Sequence, residues 1–153
     1  MLKFLLAQVQ DAKKILELQK LAYMSEAAIY DDYSIPPLKQ TLEEIRAQFK
    51  DHTFLKATVK GEIVGSVRAR NYADGCYIRR LIVHPDFQNQ GIGTRLMGEI
   101  EIFETASRYE IFTGFRSERN LHLYRKLGYR EFRRESVNER LTLVFLEKYA
   151  AAE

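Results

Sequence analysis

The amino-acid sequence predicts an α/β fold of the α+β type: one mixed, mostly antiparallel sheet of about seven strands, with helices on both faces. Three observations carry this reading. An apolar run (Cys76–Val83), a glycine turn, a helical run and a second apolar run (Glu110–Phe115) make a β-α-β unit, whose two strands should be parallel with a right-handed crossover. The other strand-like runs are joined by short turns, which suit antiparallel pairing. Apolar residues at helical spacing near the start supply a layer for the opposite face.

In chain order, Lys3 to Gln8 reads as a first strand. Asp11 is a reasonable N-cap for a helix to about Ala27, with Ile15, Leu18, Leu21 and Ala22 on one face. Pro36-Pro37 forbids a continuous helix through the next segment. Thr41 with Glu44 forms a capping box for a helix to about Phe49. Phe54–Val59, the turn Lys60-Gly61, and Glu62–Asn71 form a hairpin, and Ala73-Asp74-Gly75 turns the chain into Cys76–Val83. A helix follows from Gly91 to about Ser107, then strand Glu110–Phe115. Ser117 can cap a helix to about Leu127, which Gly128 ends in the C′ role. Tyr129–Glu135 and Arg140–Glu147 are the last two strands.

The 153 residues suggest a single domain, 1–153, and 46% apolar with 29% charged residues is an ordinary globular composition. The net charge of +3 suits an anionic cofactor but gives no argument for nucleic acid or a membrane surface. The lone Cys76 excludes an intrachain disulfide and fits a reducing compartment. His52, His84 and His122 are scattered, without metal-ligand spacing, so no metal is expected. The apolar start Met1–Leu6 is too short for a signal-peptide core, and no run reaches the ~20 apolar residues of a membrane span. The expected location is the cytoplasm.

The most informative stretch is Gln88-Asn89-Gln90-Gly91-Ile92-Gly93-Thr94, between a strand and a helix. Unpaired N–H groups at a helix N-terminus, together with the helix dipole, attract an anion such as a pyrophosphate. Gly91 and Gly93 let the backbone approach it closely. No Gly-Lys-Ser/Thr follows, and the spacing is not G-x-G-x-x-G, so neither common nucleotide fingerprint applies.

This segment resembles the acyl-CoA-binding motif of the GNAT superfamily of N-acetyltransferases, Gln/Arg-x-x-Gly-x-Gly/Ala, with Gln88, Gly91 and Gly93 in its fixed positions. A second block, Asn120-Leu-His-Leu-Tyr-Arg-Lys-Leu-Gly-Tyr129, is similar to the family's Asn…Tyr-x-x-x-Gly-Phe/Tyr pattern. The resemblance covers roughly residues 53–146. It implies acetyl-CoA as the acyl donor, without a metal, and an amine of a small molecule or peptide as acceptor. It also implies a pantetheine arm between strands 76–83 and 110–115, contacted by the backbone of Leu81, Ile82 and Val83. Gln88, Asn89, Gln90, Gly91, Ile92, Gly93 and Thr94 would hold the pyrophosphate. Asn120 would bond the arm, and Tyr124, one helical turn on, would protonate the departing thiolate.

The resemblance supplies no general base. Some family members carry a Glu on the strand before the glycine motif, but Tyr77 stands there. Glu26, Asp31, Asp32 or a water chain are the alternatives, with Glu26 placed first. Tyr30, Asp31 and Tyr33, in a segment of aromatics and acids, are candidates for the acceptor site. Against a purely cationic acceptor stand Arg68, Arg70, Arg79 and Arg80, which would favour a carboxylate if they faced the pocket. Cys76 has no activating base nearby in sequence, so direct transfer in a ternary complex is expected. A non-catalytic acyl-CoA sensor is the alternative, and a homodimer is an expectation carried by the family.

Overall fold

The computed structural model describes residues 1–151. Its order is β1 (Leu2–Leu6), α1 (Ala12–Ala22), α2 (Met24–Tyr30), α3 (Pro36–Lys39), α4 (Leu42–Gln48), β2 (Thr53–Val59), β3 (Glu62–Tyr72) and β4 (Gly75–Val83). Then follow α5 (Ile92–Phe103), β5 (Arg108–Gly114), α6 (Glu118–Lys126), β6 (Arg130–Ser136) and β7 (Thr142–Tyr149). The strands form one seven-stranded sheet in the order β1-β2-β3-β4-β5-β7-β6. Only β4 and β5 are parallel, so the α/β class and the single crossover are those the sequence predicts.

One face of the sheet packs α5 through Ile92, Leu96, Met97 and Ile100, and α6 through Leu121 and Tyr124, against Val67, Ala69, Ile78 and Ile111. The other face packs Ile15 and Leu16 of α1 and Ile45 of α4 against Phe54. The Thr41–Glu44 capping box is reciprocal, each side chain taking the other's backbone N–H (2.9 and 3.2 Å). Gly128 has φ +97° just past α6, the left-handed C′ position that glycine fills without a Cβ penalty.

Two helix ends and one cap differ from expectation, each for a local reason. The first helix does not run on to Ala27: it breaks at Tyr23, where the Ser25 hydroxyl donates to the Ala22 carbonyl at 3.2 Å and competes with the helical ladder. Asp11 does not cap α1 with its side chain; its carboxylate accepts from Gln8 N and from Lys56 Nζ instead. The helix after the glycine turn stops at Phe103 rather than Ser107, because the Tyr109 hydroxyl reaches the Glu101 and Glu104 carbonyls (3.0 and 2.9 Å) and accepts from Ala106 N. Pro36 and Pro37 do break the chain, yet they also open the short α3, where a missing N–H costs nothing.

Candidate active site

The sheet opens in its middle. β4 and β5 pair only at Cys76↔Tyr109 and Tyr77↔Glu110, and beyond those two rungs they part. Arg79 sits at the fork. Its Nη1 donates to the Ile78 carbonyl (2.9 Å) and the Glu110 carbonyl (3.3 Å), and its Nη2 pairs with the Glu110 carboxylate at 3.2 Å. The guanidinium therefore occupies backbone acceptors at the last rung. On its other side β4 stays bonded to β3, with Ile82 opposite Ser66 and Val83 opposite Gly65. The pairing slips between Ser66 and Arg68, and Arg80 takes φ +56°, which marks a bulge in β4. Leu81–Val83 thus keeps one backbone edge facing the gap.

The glycine turn closes one end of that gap. Gly91 is left-handed (φ +78°) at the N-cap of α5, and no side chain caps this helix. The first helical bond is from Arg95 N to Gly91 O, leaving the amides of Ile92, Gly93 and Thr94 without intrahelical acceptors. Gly93 sits where β4, α5 and α6 meet: a Cβ there would make ordinary contacts with Leu123 (3.5 Å), Leu81 (3.8 Å) and Val83 (3.9 Å). Arg119 of α6 donates to the side-chain oxygens of Gln88 and Asn89, fixing the loop and bringing positive charge to it.

Helices α2 and α6 meet across the gap. The break at Tyr23 swings α2 so that Glu26 accepts from Asn120 Nδ2 (2.8 Å) and from Ser117 Oγ (2.6 Å). Asn120 Nδ2 also reaches Thr113 Oγ1 of β5 at 3.2 Å. Tyr124, one turn along α6, is 4% exposed, and its hydroxyl makes no protein hydrogen bond among the described residues. Burial, with the phenol of Tyr23 and the carboxylate of Glu26 nearby, raises its pKa well above the ordinary phenol value. It therefore holds its proton throughout the neutral range.

Of the acids considered as bases, only Glu26 is drawn to this cluster. Asp31 projects into solvent near Arg140, and Asp32 is tied to Ser34 N and Oγ. Tyr77, at the place of the family's strand carboxylate, donates to Asp74 in the turn between β3 and β4 at 2.6 Å. Tyr30, expected at an acceptor wall, is instead 4% exposed, with its phenol bonded to Ser117 Oγ (2.7 Å) and Arg116 N (3.0 Å), whereas Tyr33 is 55% exposed. Cys76 is buried at the β4–β5 pairing, and burial pushes its thiol up to about 12. Among the described residues, no group of three or more His, Cys, Asp or Glu could hold a metal, and no helix is long and apolar enough to cross a membrane.

A family model for the acetyltransferase (GNAT) domain matches residues 50–131. The chain belongs to the GNAT family. Its fold is shared at low identity with the PaiA N-acetyltransferase of Thermoplasma acidophilum, solved in complex with coenzyme A (TM-score 0.82, 16% identity, 98% of this chain and 99% of that one). It is shared also with the ribosomal-protein-S18-alanine N-acetyltransferase of Escherichia coli (TM-score 0.80, 15% identity, 100% of this chain and 97% of that one). A curated relative, the UPF0157 protein YqkA of Bacillus subtilis, is 29% identical over 121 residues, which are 78% of this chain. The match spans only 35% of that relative's length.

The GNAT site of this chain fits coenzyme A: free amides at α5, an unpaired β4 edge and a Gly93 position kept clear of side chain. Ser117, Thr113 and Arg119 complete it and were not singled out for it from sequence. Ser117 reads as a helix cap, but its hydroxyl serves Glu26 and Tyr30 instead. Gly93→Val is expected to weaken acetyl-CoA binding about tenfold, since its branched carbons extend beyond a Cβ that already touches Leu81, Val83 and Leu123 and crowd the close approach of the pyrophosphate. Calorimetric titration checks this, with circular dichroism as the control for fold.

Proposed function

We propose that this protein transfers an acetyl group from acetyl-CoA directly to an amine nitrogen within a ternary complex. The observation that carries the reading is the convergence of Glu26, Asn120 and Tyr124 from α2 and α6 beside the gap between β4 and β5. Acetyl-CoA, when bound, supplies the acetyl thioester. The amides of Ile92, Gly93 and Thr94, with Arg119 beside them, hold the pyrophosphate by hydrogen bonding and the helix dipole. The free edge of Leu81–Val83 pairs with the amide-rich arm as an added strand would, and one of its N–H groups stabilises negative charge on the reacting carbonyl oxygen.

Protonated amines do not attack, so a proton must leave the acceptor nitrogen first. The charge of Glu26 reaches Tyr124, and Ser117 and Asn120 fix the orientation of its carboxylate. We assign it the base role, taking that proton at a carboxylate oxygen. Tyr124 keeps its own proton at neutral pH and delivers it from Oη to the departing sulfur. Cys76 takes no part, since a thiol held near 12 supplies almost no thiolate at neutral pH.

The alternative, an acyl-CoA sensor without turnover, draws on Tyr77 standing where a family base is found. Calorimetry with acetyl-CoA, followed by thiol release across amines, amino acids and peptides, separates the two. Binding with thiol release supports the transferase. Binding without release on every acceptor supports the sensor, and no binding overturns both. Cys76→Ala should retain turnover while costing about 1 kcal/mol of stability through the small cavity it leaves. Loss of turnover in a folded variant would revive a covalent route.

A further inference from the structure

Arg68 of β3 is buried without a counter-ion. It is 1% exposed, and its guanidinium bonds only neutral partners: Gln19 (2.6 Å), Gln48 (2.6 Å) and Gln40 (3.3 Å). The glutamines are themselves locked together, Gln19 Nε2 donating to Gln40 Oε1 at 2.9 Å and Gln40 Nε2 to Gln48 Oε1 at 3.0 Å. Arg68 Nε has no hydrogen-bond partner among the described residues. A buried charge held only by amide dipoles is costly unless something compensates it.

A second unpaired cation lies next to it. The bulge in β4 turns Arg80 toward α1, where its guanidinium sits 6.0 Å from the Tyr23 ring centre, and its Nε too is buried without a partner. Burial first, and the charge of nearby Arg80 second, lower the Arg68 pKa to about 9. Neither arginine forms an ion pair with a carboxylate among the described residues.

Arg80 lines an open cavity of about 380 Å³, together with Lys39, Gln40 and Glu44. Gln40 is the residue behind which Arg68 lies. Glu44, the carboxylate among the lining residues, accepts the Thr41 N–H in the capping box of α4 and offsets one of the positive charges. Lys39, Arg80 and the underlying Arg68 therefore present excess positive charge to one space. That space adjoins the proposed chemistry, because Arg80 directly precedes Leu81 in β4, and Tyr23, beside Arg80, opens the helix α2 that carries Glu26.

We propose that the acceptor amine carries an anionic group, a carboxylate or a phosphate, which docks in this cavity against Arg80 and Lys39, above Arg68. The inference rests on the acetyl transfer proposed above and names the class of its acceptor. Arg80 supplies a planar fork matched to either anion. The docked anion compensates the two arginines, and the amine is left to reach toward Glu26.

Two measurements test it. With acetyl-CoA saturating, thiol release is compared for amino acids, their decarboxylated amines, and phosphoethanolamine. Turnover confined to anionic amines is expected, and the amino acids against phosphoethanolamine tell carboxylate from phosphate. Arg80→Gln should raise KM for the anionic acceptor about 10- to 100-fold, the range expected for one hydrogen bond to a charged group, with KM for acetyl-CoA unchanged. Arg80→Lys should restore part of the loss. Equal turnover of neutral amines, or an unchanged acceptor KM in Arg80→Gln, overturns the proposal.

The second measurement is independent of chemistry. With CoA bound, the thermal midpoint is followed against the same compounds. A rise with the anionic compounds alone, abolished by Arg80→Gln, supports the anion site even if no acceptor turns over, in which case only the transferase reading fails. Turnover without any anion-specific rise overturns the site and leaves the transferase standing.

Discussion

Tyr124→Phe is expected to bind acetyl-CoA with unchanged affinity and to turn over about 10²–10³-fold more slowly, the lower part of the range for general acids. The lower part applies because a thiol, with an ordinary pKa near 8.5, is a fair leaving group even when its proton comes late. The substitution is nearly isosteric, and the hydroxyl it removes bonds no protein group among the described residues. Folding therefore loses little, and a fall in kcat cannot be assigned to a damaged core. Burial raises the Tyr124 pKa in the folded chain above the unfolded value of about 10. Its contribution to stability is thus complete below pH 10 and is lost as pH rises further, and it adds no alkaline limb to the rate profile in the neutral range. Stopped-flow or steady-state thiol release, with calorimetry for the donor, checks both parts. Unchanged kcat would remove Tyr124 from the mechanism.

Gly114→Ala is expected to destabilise the protein by about 2–4 kcal/mol, from overpacking together with lost hydrogen bonds. A Cβ at this position would lie 1.9 Å from the Tyr30 hydroxyl oxygen and 2.4 Å from the ring carbon that bears it. Tyr30 is buried, so the ring cannot swing into solvent to make room. Any retreat breaks its bonds to Ser117 Oγ and Arg116 N. Because Ser117 also holds Glu26, the damage should pass to the proposed base and lower kcat in whatever fraction stays folded. Urea titration gives the stability change, and kcat measured well below the midpoint gives the second effect. A wild-type urea midpoint would mean that Tyr30 is not fixed against β5 as described.

Local structure around the candidate site was legible in sequence where chemistry and local geometry coincide. Glycines between a strand and a helix start, a Thr with Glu three residues on, and a Gly at a helix end each announce themselves without knowledge of the fold. The region before β2 was harder to read, and for physical reasons. Ser25 looks like any polar helical residue until its hydroxyl takes the Ala22 carbonyl and breaks the helix. Tyr30 follows Ala27 at helical spacing and could face either solvent or core; the vacancy at Gly114, distant in sequence, decides in favour of the core. Arg68 alternates with Val67 and Ala69 as an outward residue of a half-exposed strand would, but α1 and α4 cover that face. Its burial follows from a second layer that strand periodicity alone does not reveal.

The fork at Arg79 sets how the molecule meets its ligand. Two parallel strands that begin to pair would ordinarily continue, since each further rung satisfies groups left bare. Here a side chain already holds the carbonyls at the junction and is itself anchored to Glu110, so the sheet has no gain from zipping shut. The slot therefore persists in the free protein, and its opening need not be driven by the incoming molecule. Less ordering is left for the moment of binding, so more of the contact energy is available as affinity. An arginine that touches no substrate in this scheme thus acts as a doorstop.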